Sequence, residues 1–168
     1  MRTAFTELLS DLESADAGVV GKACSDAALL LERHVYHRYG DEMYLELLGN
    51  SELLDLELDT NSYNEIVSRL RNILDRRGQC ADVAAWAAGK TRDVRLRLSL
   101  LCVLRDHDRI EDDNLIYQTI IALENHGLDE EIVDLLQRVS LSQKLVRSSE
   151  RAIEILSMPP EILKLEMS

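Results

Sequence analysis

The sequence predicts an all-α fold, and three observations support this. The chain of 168 residues is rich in Leu, Ala, Glu and Arg, which are good helix formers. Its two prolines are adjacent at positions 159 and 160, so no proline interrupts a helix in the first 158 residues. In the strongly patterned segments, apolar residues recur every three or four positions. We therefore expect helices throughout and no sheet.

The N-terminal third predicts two helices followed by a broken segment. TELLSDLESADAGVVGKACSDAALLLERHVYHRYG predicts a short helix and then a longer one, split or capped near Gly18 and Gly21. DEMYLELLGNSELLDLELD predicts two short helices or turns, separated at Gly49 and Asn50. No linker rich in Gly, Ser or Pro follows. We therefore expect residues 1–168 to form a single all-helical domain.

The middle of the chain predicts three helices. SYNEIVSRLRNILDRRG is amphipathic, with a capping box of Ser62 and Glu65 at its start and Gly78 at its end. QCADVAAWAAGK is short and made mostly of small residues, which predicts a buried inner helix with Trp86 as its large side chain. TRDVRLRLSLLCVLRDH, from Thr91, alternates at first like a strand, but its length favours a helix.

The last third continues the same pattern. DDNLIYQTIIALENHG predicts a helix that is capped by Asp112 or Asp113 and ends at Gly127, and DEEIVDLLQRVS and LSQKLVRSSERAIEILS predict two more. Residues 62–157 thus predict three consecutive helix pairs, stacked as an irregular HEAT-like solenoid. The unequal spacing of the pairs leaves an irregular multi-helix bundle as the alternative. The predicted core residues are Leu70, Leu101, Ile120 and Leu136.

Cysteine usage and the N-terminus predict a cytoplasmic protein. Cys24, Cys80 and Cys102 lie far apart without a CxxC pair, so we expect reduced core residues. The N-terminal stretch MRTAFTELLSDLES lacks the apolar core of a signal peptide. No run approaches the roughly 20 apolar residues that cross a membrane. We therefore expect no membrane partner.

The net charge of −12 is distributed unevenly. Residues 1–64 contain 4 Lys and Arg against 13 Asp and Glu, residues 65–110 contain 10 against 6, and residues 111–168 contain 5 against 12. Two windows, 39–68 and 110–137, contain eight carboxylates each and no Lys or Arg. Such windows repel nucleic acids and anionic membranes and attract cationic surfaces, although acidic surface can also serve solubility alone.

The densest charged segment is RDHDRIEDDN, residues 105–114, with five carboxylates. An EF-hand loop that began at Asp106 would require an oxygen ligand at its fifth position and glycine at its sixth, where this chain has Ile110 and Glu111. The calcium loop is therefore excluded. We expect a turn, with Asp112 or Asp113 capping the next helix and the carboxylates exposed to solvent.

The pair His107 and Asp108 matches the two letters that name the all-helical HD phosphohydrolases, in which histidines and aspartates hold metal ions. The further ligands would be His34 and His37, which are three residues apart on one helical face. A histidine that interacts with the end of a helix is the simpler interpretation. An HD-type metal phosphohydrolase thus stays as a third hypothesis.

Other chemical sites have no support in the sequence. There is no GxSxG nucleophile elbow and no glycine-rich phosphate loop. The arginines between positions 69 and 109 are accompanied by a single aromatic residue, Trp86, and are flanked by acidic segments, which favours internal ion pairs over nucleic-acid binding. The sequence therefore predicts no catalytic residue, no cofactor, no metal and no nucleic-acid partner.

We expect instead a protein partner with a basic surface, bound by the carboxylates of the two acidic windows. The predicted partner-binding residues are Asp41, Glu42, Glu46, Glu52, Asp55, Glu57, Asp59, Glu111, Asp112, Asp113, Glu130 and Glu131.

The helical pattern of residues 62–157, together with the acidic charge, resembles the HEAT-like all-helical immunity proteins that bacteria encode beside toxins. The resemblance covers architecture and charge and contains no diagnostic motif, so it assigns no role to any residue. It implies a non-catalytic inhibitor whose acidic surface occludes the basic active-site surface of a toxin domain. The runner-up hypothesis is a helical-repeat scaffold or adaptor, which would need exposed apolar residues to hold a helix in a groove.

Overall fold

The structure is a computed structural model that describes residues 3–159 and 161–163. All regular secondary structure in these residues is helical, which confirms the all-α class. The helices are α1 (Ala4–Asp11), α2 (Ala17–Val35), α3 (Asp41–Leu47), α4 (Thr60–Arg76), α5 (Ala81–Ala88), α6 (Val94–Arg105), α7 (Asp113–His126), α8 (Glu130–Val139) and α9 (Val146–Leu156). Short 3₁₀ turns span Ser51–Leu53 and His107–Arg109.

Aspartate side chains cap the start of many helices, because a carboxylate accepts hydrogen bonds from the free amides of the first turn. The aspartate N-caps are Asp16, Asp59, Asp93, Asp112 and Asp129. The predicted capping box at Ser62 is wrong, since α4 begins at Thr60 and the amide of Ser62 donates to Asp59 at 2.7 Å. Part of the aspartate content of the chain is therefore used to cap the starts of helices.

Consecutive helices pack as pairs, and the pairs stack on one another. α4 packs on α5, α6 on α7 and α8 on α9, as predicted, and α1 with α2 forms a further pair. Contacts between neighbouring pairs join α2, α5, α7 and α9 in one row and α4, α6 and α8 in another. The solenoid remains a prediction, because these contacts establish neighbours rather than a regular superhelix.

Neighbouring helices of the first row run parallel. At the start of α7, the Asn114 amide donates to the Asp82 carboxylate at 2.7 Å, near the start of α5. At the other end, the His126 ring nitrogen lies 2.9 Å from the Ala88 carbonyl oxygen. The Sγ atom of Cys80 lies 3.1 Å from the carbonyl oxygen of Ala17, so the starts of α2 and α5 also coincide. The C-terminal ends of α2, α5 and α7 therefore share one end of the molecule.

One apolar core runs from Leu8 in α1 to Ile155 in α9. It includes the four residues that the sequence predicted, each at most 5% exposed: Leu70, Leu101, Ile120 and Leu136. Because α5 consists largely of alanines, it packs closely against α2 on one side and α7 on the other. A Cβ atom on Gly89 would lie 3.0 Å from the Cα atom of Ala122, so only glycine fits this contact without displacement.

The three cysteines differ in exposure. Cys24 is buried, Cys80 is half-buried and Cys102 is exposed. The prediction that all three are core residues is therefore wrong for Cys102, which shares the outer face of α6 with Val94 and Leu98 at spacings of four residues. No helix within the described residues has the length and apolar character needed to cross a membrane.

Candidate partner-binding surface

The candidate site is built on residues 36–59, which connect α2 to α4 and are called here the α2–α4 connection. Its main anchor is Tyr44, whose hydroxyl donates a hydrogen bond to the carboxylate of Glu32 in α2. Tyr44 is fully buried and Glu32 is 3% exposed. Burial, together with this hydrogen bond, raises the pKa of Tyr44 to about 12. The Nε atom of Arg38 lies 3.6 Å from the other oxygen of Glu32, which partly compensates the buried charge.

Two further contacts fix the α2–α4 connection to α2. The backbone amide of Gly49 donates to Asp26 at 2.6 Å, and the guanidinium of Arg33 donates to the carbonyl oxygen of Leu54. Asp26 is buried, and this burial raises its pKa although the Gly49 amide acts in the opposite direction. The outer surface of the connection is therefore presented on a backbone that is held at several points.

The outer surface of the α2–α4 connection is strongly acidic. Its unpaired carboxylates are all exposed and form no salt bridge with any residue that the structure describes. These residues are Glu42, Glu46, Glu52, Asp55 and Glu57. Because no salt bridge neutralises them, they contribute negative potential to the surface of this segment.

The other two predicted residues of this window have partners. Asp41 is exposed but lies 3.3 Å from the guanidinium of Arg33, so it is partly neutralised. Asp59 caps α4, and the hydrogen bonds from Ser62 hold its pKa below the usual range. The sequence prediction that the window has no balancing cation is therefore wrong for Asp41, since Arg33 lies before the window in the chain but beside it in space.

The second window does not form one surface. Glu111 to Asp113 lie at the start of α7, whereas Glu130 and Glu131 follow its end, and a helix of 14 residues is about 20 Å long. Since the C-terminal ends of α2 and α7 lie at one end of the molecule, Glu130 and Glu131 are at the end where the α2–α4 connection begins. The three residues from Glu111 to Asp113 are at the opposite end.

Three of the five predicted partner-binding carboxylates in the second window have structural partners. Asp112 caps α7 through the amide of Leu115 at 3.1 Å. Glu131 pairs with Arg105, with its Oε1 atom 2.6 Å from Nη2. Asp113 is half-buried and binds the first turn of α9, as described next. Among the five predicted residues of this window, Glu111 and Glu130 are exposed and form neither a helix cap nor a salt bridge within the described residues.

Asp113 fastens α7 to α9. Its carboxylate accepts from the backbone amides of Arg147 at 2.8 Å and Ser148 at 3.0 Å, and from the Ser148 hydroxyl at 2.6 Å. Although partial burial alone would raise its pKa, these hydrogen bonds hold the pKa of Asp113 below the usual range. The prediction that the Asp113 carboxylate is solvated is therefore wrong, because the side chain binds α9 within the fold, and its part in partner binding stays a prediction.

Arginines of the basic middle segment pair with the acidic flanks, as predicted. Arg69 lies 3.3 Å from Glu13, and Arg97 lies 2.5 Å from Asp129. The pair of Arg105 and Glu131 makes a third such link. These pairs neutralise part of the basic segment, so its charge is smaller at the surface than in the sequence.

The histidines do not assemble the metal site of the third hypothesis. His107 is buried after the end of α6, with Nδ1 2.9 Å from the Leu104 carbonyl oxygen and Nε2 3.1 Å from Asp108. His34 instead stacks on Tyr63, with ring centroids 5.5 Å apart. Across residues 3–159 and 161–163, no group of three or more His, Cys, Asp or Glu side chains is arranged to hold a metal ion.

Sequence reasoning missed the exposed apolar side chains of the α2–α4 connection. Tyr39, Met43, Leu45 and Leu47 are 42 to 53% exposed. The signal was present in DEMYLELL, where apolar residues fall on every side of a helix, so some of them had to face solvent. Acidic and apolar side chains thus share the same outer surface.

No protein-family model, curated protein or solved structure matches this chain. The interpretation of the site therefore depends on its own chemistry. The outer surface of the anchored α2–α4 connection combines exposed apolar side chains with unpaired carboxylates.

Proposed function

We propose that this chain is a non-catalytic binding protein that covers a basic surface of a partner protein with its α2–α4 connection. The observation that carries the proposal is the set of five exposed and unpaired carboxylates on this anchored segment. Uncompensated charge of one sign accelerates encounter with a cationic surface and disfavours nucleic acids and anionic lipids.

The proposal includes a biological role, inhibition of a bacterial toxin by an immunity protein. The all-helical architecture, the acidic charge and the resemblance described above support this role. In such a complex, carboxylates of the connection would face the cationic rim of the toxin active site and block access of its substrate. The inhibitor itself performs no chemistry.

A helical-repeat adaptor is the second candidate, and one observation favours it. An adaptor requires exposed apolar side chains, and Met43 and Leu47 are about half exposed on the same segment. The two candidates differ in what they do to the partner: an adaptor leaves its activity intact, whereas an immunity protein abolishes it.

Co-expression with the polypeptide encoded by the neighbouring gene tests the proposal. We expect that polypeptide to arrest growth when expressed alone and this chain to restore growth. The charge reversals Glu52→Lys, Asp55→Lys and Glu57→Lys, combined in one variant, should abolish the rescue. Rescue by this variant as strong as that by the unchanged chain would contradict the proposed surface, and a neighbouring polypeptide without toxicity would contradict the immunity role.

A matched control separates the surface from the total charge. The variant with Glu111→Lys, Asp134→Lys and Glu150→Lys changes the net charge by the same amount at exposed positions outside the α2–α4 connection. It should rescue growth like the unchanged chain. Circular dichroism of both variants should give the same helical spectrum.

A further inference from the structure

Helix α3 exposes most of its side chains. Tyr44 is the one residue of α3 that is buried, and Leu48, directly after the helix, is buried beside it. Neighbouring residues of a helix are about 100° apart, so Glu42 and Glu46 lie opposite this buried line, one turn apart. We call these two carboxylates the acidic ridge.

Apolar side chains flank the acidic ridge on both sides. Met43 and Leu47, which are 47% and 53% exposed, lie one turn apart on one flank. Leu45, 47% exposed, lies on the other flank. Single exposed apolar residues are ordinary, but three of them within seven residues form a local apolar surface of the kind that marks interaction sites.

The apolar surface continues into the residues before α3. The Tyr39 ring packs edge-on against Tyr44, with centroids 5.6 Å apart, and is 42% exposed. Tyr36 is 37% exposed and lies under the guanidinium of Arg38, 4.7 Å from the ring centroid. Tyrosine offers a large contact area with few rotatable bonds, which suits the centre of an interface.

We propose that α3 docks against an amphipathic cationic helix of the partner protein. This inference rests on the proposed function and names the element of the partner that is bound. Cations on the partner helix would pair with Glu42 and Glu46, while its apolar side chains contact Met43 and Leu47. Both rows on α3 repeat at one helical turn, about 5.4 Å, which matches the spacing of residues four apart on a second helix.

Charge disfavours two other occupants of this surface. In a symmetric dimer the same patch meets itself, so the acidic ridges of two copies would face each other and repel. An anionic membrane would be repelled by the same ridge, although the flanks alone would favour lipid. A partner helix that carries cations beside apolar side chains would pair with the acidic ridge and contact Met43 and Leu47 at the same time.

The test uses two synthetic helical peptides of about five turns with the same number of lysines. In the first, leucines fill the face beside the lysines; in the second, glutamines replace those leucines. The first peptide should bind the full chain at least about tenfold more tightly, because burial of apolar area adds to the charge attraction. Met43→Ser combined with Leu47→Ser should remove this difference, mainly through faster dissociation.

Matched variants make the outcome specific. Val94→Ser with Leu98→Ser changes two apolar residues of comparable exposure on α6, 63% and 55%, and should leave the difference between peptides unchanged. Glu42→Gln with Glu46→Gln should slow the association of both peptides and weaken its dependence on salt. Equal thermal midpoints should accompany these changes, since all six side chains are exposed.

Several outcomes would overturn the inference. Equal affinity for the two peptides, or an unchanged difference in the variant with Met43→Ser and Leu47→Ser, would show charge attraction without apolar docking. Either result would contradict the inference and leave the proposed function standing. Absence of binding to both peptides would contradict it as well, and the co-expression experiment decides the proposed function independently. Sedimentation that shows a dimer lost in the serine variant, or binding to phosphatidylcholine vesicles lost in that variant, would assign the surface to a second copy or to lipid.

Discussion

The Tyr44 hydroxyl donates a hydrogen bond to the Glu32 carboxylate between α3 and α2, where both side chains are buried. Removal of the hydroxyl by Tyr44→Phe leaves a buried carboxylate with one partner fewer. We therefore expect the free energy of unfolding to fall by about 1–3 kcal/mol. Urea denaturation followed by circular dichroism measures this change.

Tyr39→Phe is the control for Tyr44→Phe, since the side chain of Tyr39 is exposed, and it should change stability by less than about 0.5 kcal/mol. In a Glu32→Gln background, Tyr44→Phe should cost less than in the unchanged chain, because a neutral amide is cheaper to leave unpaired. Equal costs in the two backgrounds would show that the negative charge of Glu32 adds nothing to this hydrogen bond.

Asp113→Asn tests the link between α7 and α9. Hydrogen bonds to the carboxylate depress its pKa in the folded state, so the ionised form stabilises the fold above the unfolded pKa of about 3.9 and this contribution is lost as the pH falls through the lower folded pKa. We expect a cost of about 1–2 kcal/mol at neutral pH that shrinks in this acidic range. Thermal unfolding of the variant across pH measures it.

Glu111→Gln provides the comparison for Asp113→Asn. Glu111 lies two residues earlier, is exposed and forms no salt bridge to the described residues, so its replacement should change stability by less than about 0.5 kcal/mol. A cost at Asp113 that does not vary with pH would contradict the role of its charge.

Gly89→Ala tests the close approach of α5 and α7. The added Cβ atom would lie 3.0 Å from the Cα atom of Ala122, and backbone cannot move aside as a side chain can. We expect a loss of about 1–3 kcal/mol in the free energy of unfolding. Gly78→Ala, where a Cβ atom has no neighbour within 4 Å, should be neutral or slightly stabilising. Equal effects at both positions would show that the helices separate freely.

Truncation of core residues tests the assigned helix faces. Leu70→Ala and Leu136→Ala each remove a side chain with no exposed surface and should lower the free energy of unfolding by about 2–5 kcal/mol. Leu98→Ala, at a position 55% exposed on α6, should cost much less. Thermal midpoints that do not distinguish the two classes would contradict the packing.

The reactivity of the thiols should follow their exposure. Cys102 is exposed and should react first with a disulfide reagent in the native protein. Burial raises the pKa of Cys24 to about 12, so its thiolate is scarce and its reaction should wait for unfolding. The Cys102→Ser variant should lose the fast phase; a fast phase that remains would assign it to another thiol.

The fold was predictable from the sequence where the determinants are local. Helix periodicity placed Leu70 and Ile120 in the core, and the Asp112 cap follows from residues within one turn. The start of α4 was missed because two cap signals compete, and the aspartate at 59 is used instead of Ser62. The exposure of Cys102 depends on which faces of α6 are covered by neighbouring helices. Sequence periodicity alone does not predict this.

The candidate site was predictable only in part, because its pairings join distant segments. Counting Lys and Arg within a window could not find Arg33 beside Asp41 or Arg105 beside Glu131. The role of Asp113 was equally hidden, since its partners are 34 and 35 positions along the chain. Local charge density therefore overestimates how many carboxylates are available to a partner.

The number of helices that pack against each helix also determines where the molecule unfolds locally. α5 is enclosed by α2, α4 and α7, whereas α3 packs mainly on α2. Local unfolding proceeds most readily where few contacts are lost, so amide hydrogens of α5 should exchange with solvent more slowly than those of α3. The surface that we propose for partner binding thus lies on the segment that opens most readily while the rest stays folded, and a bound helix would slow its exchange.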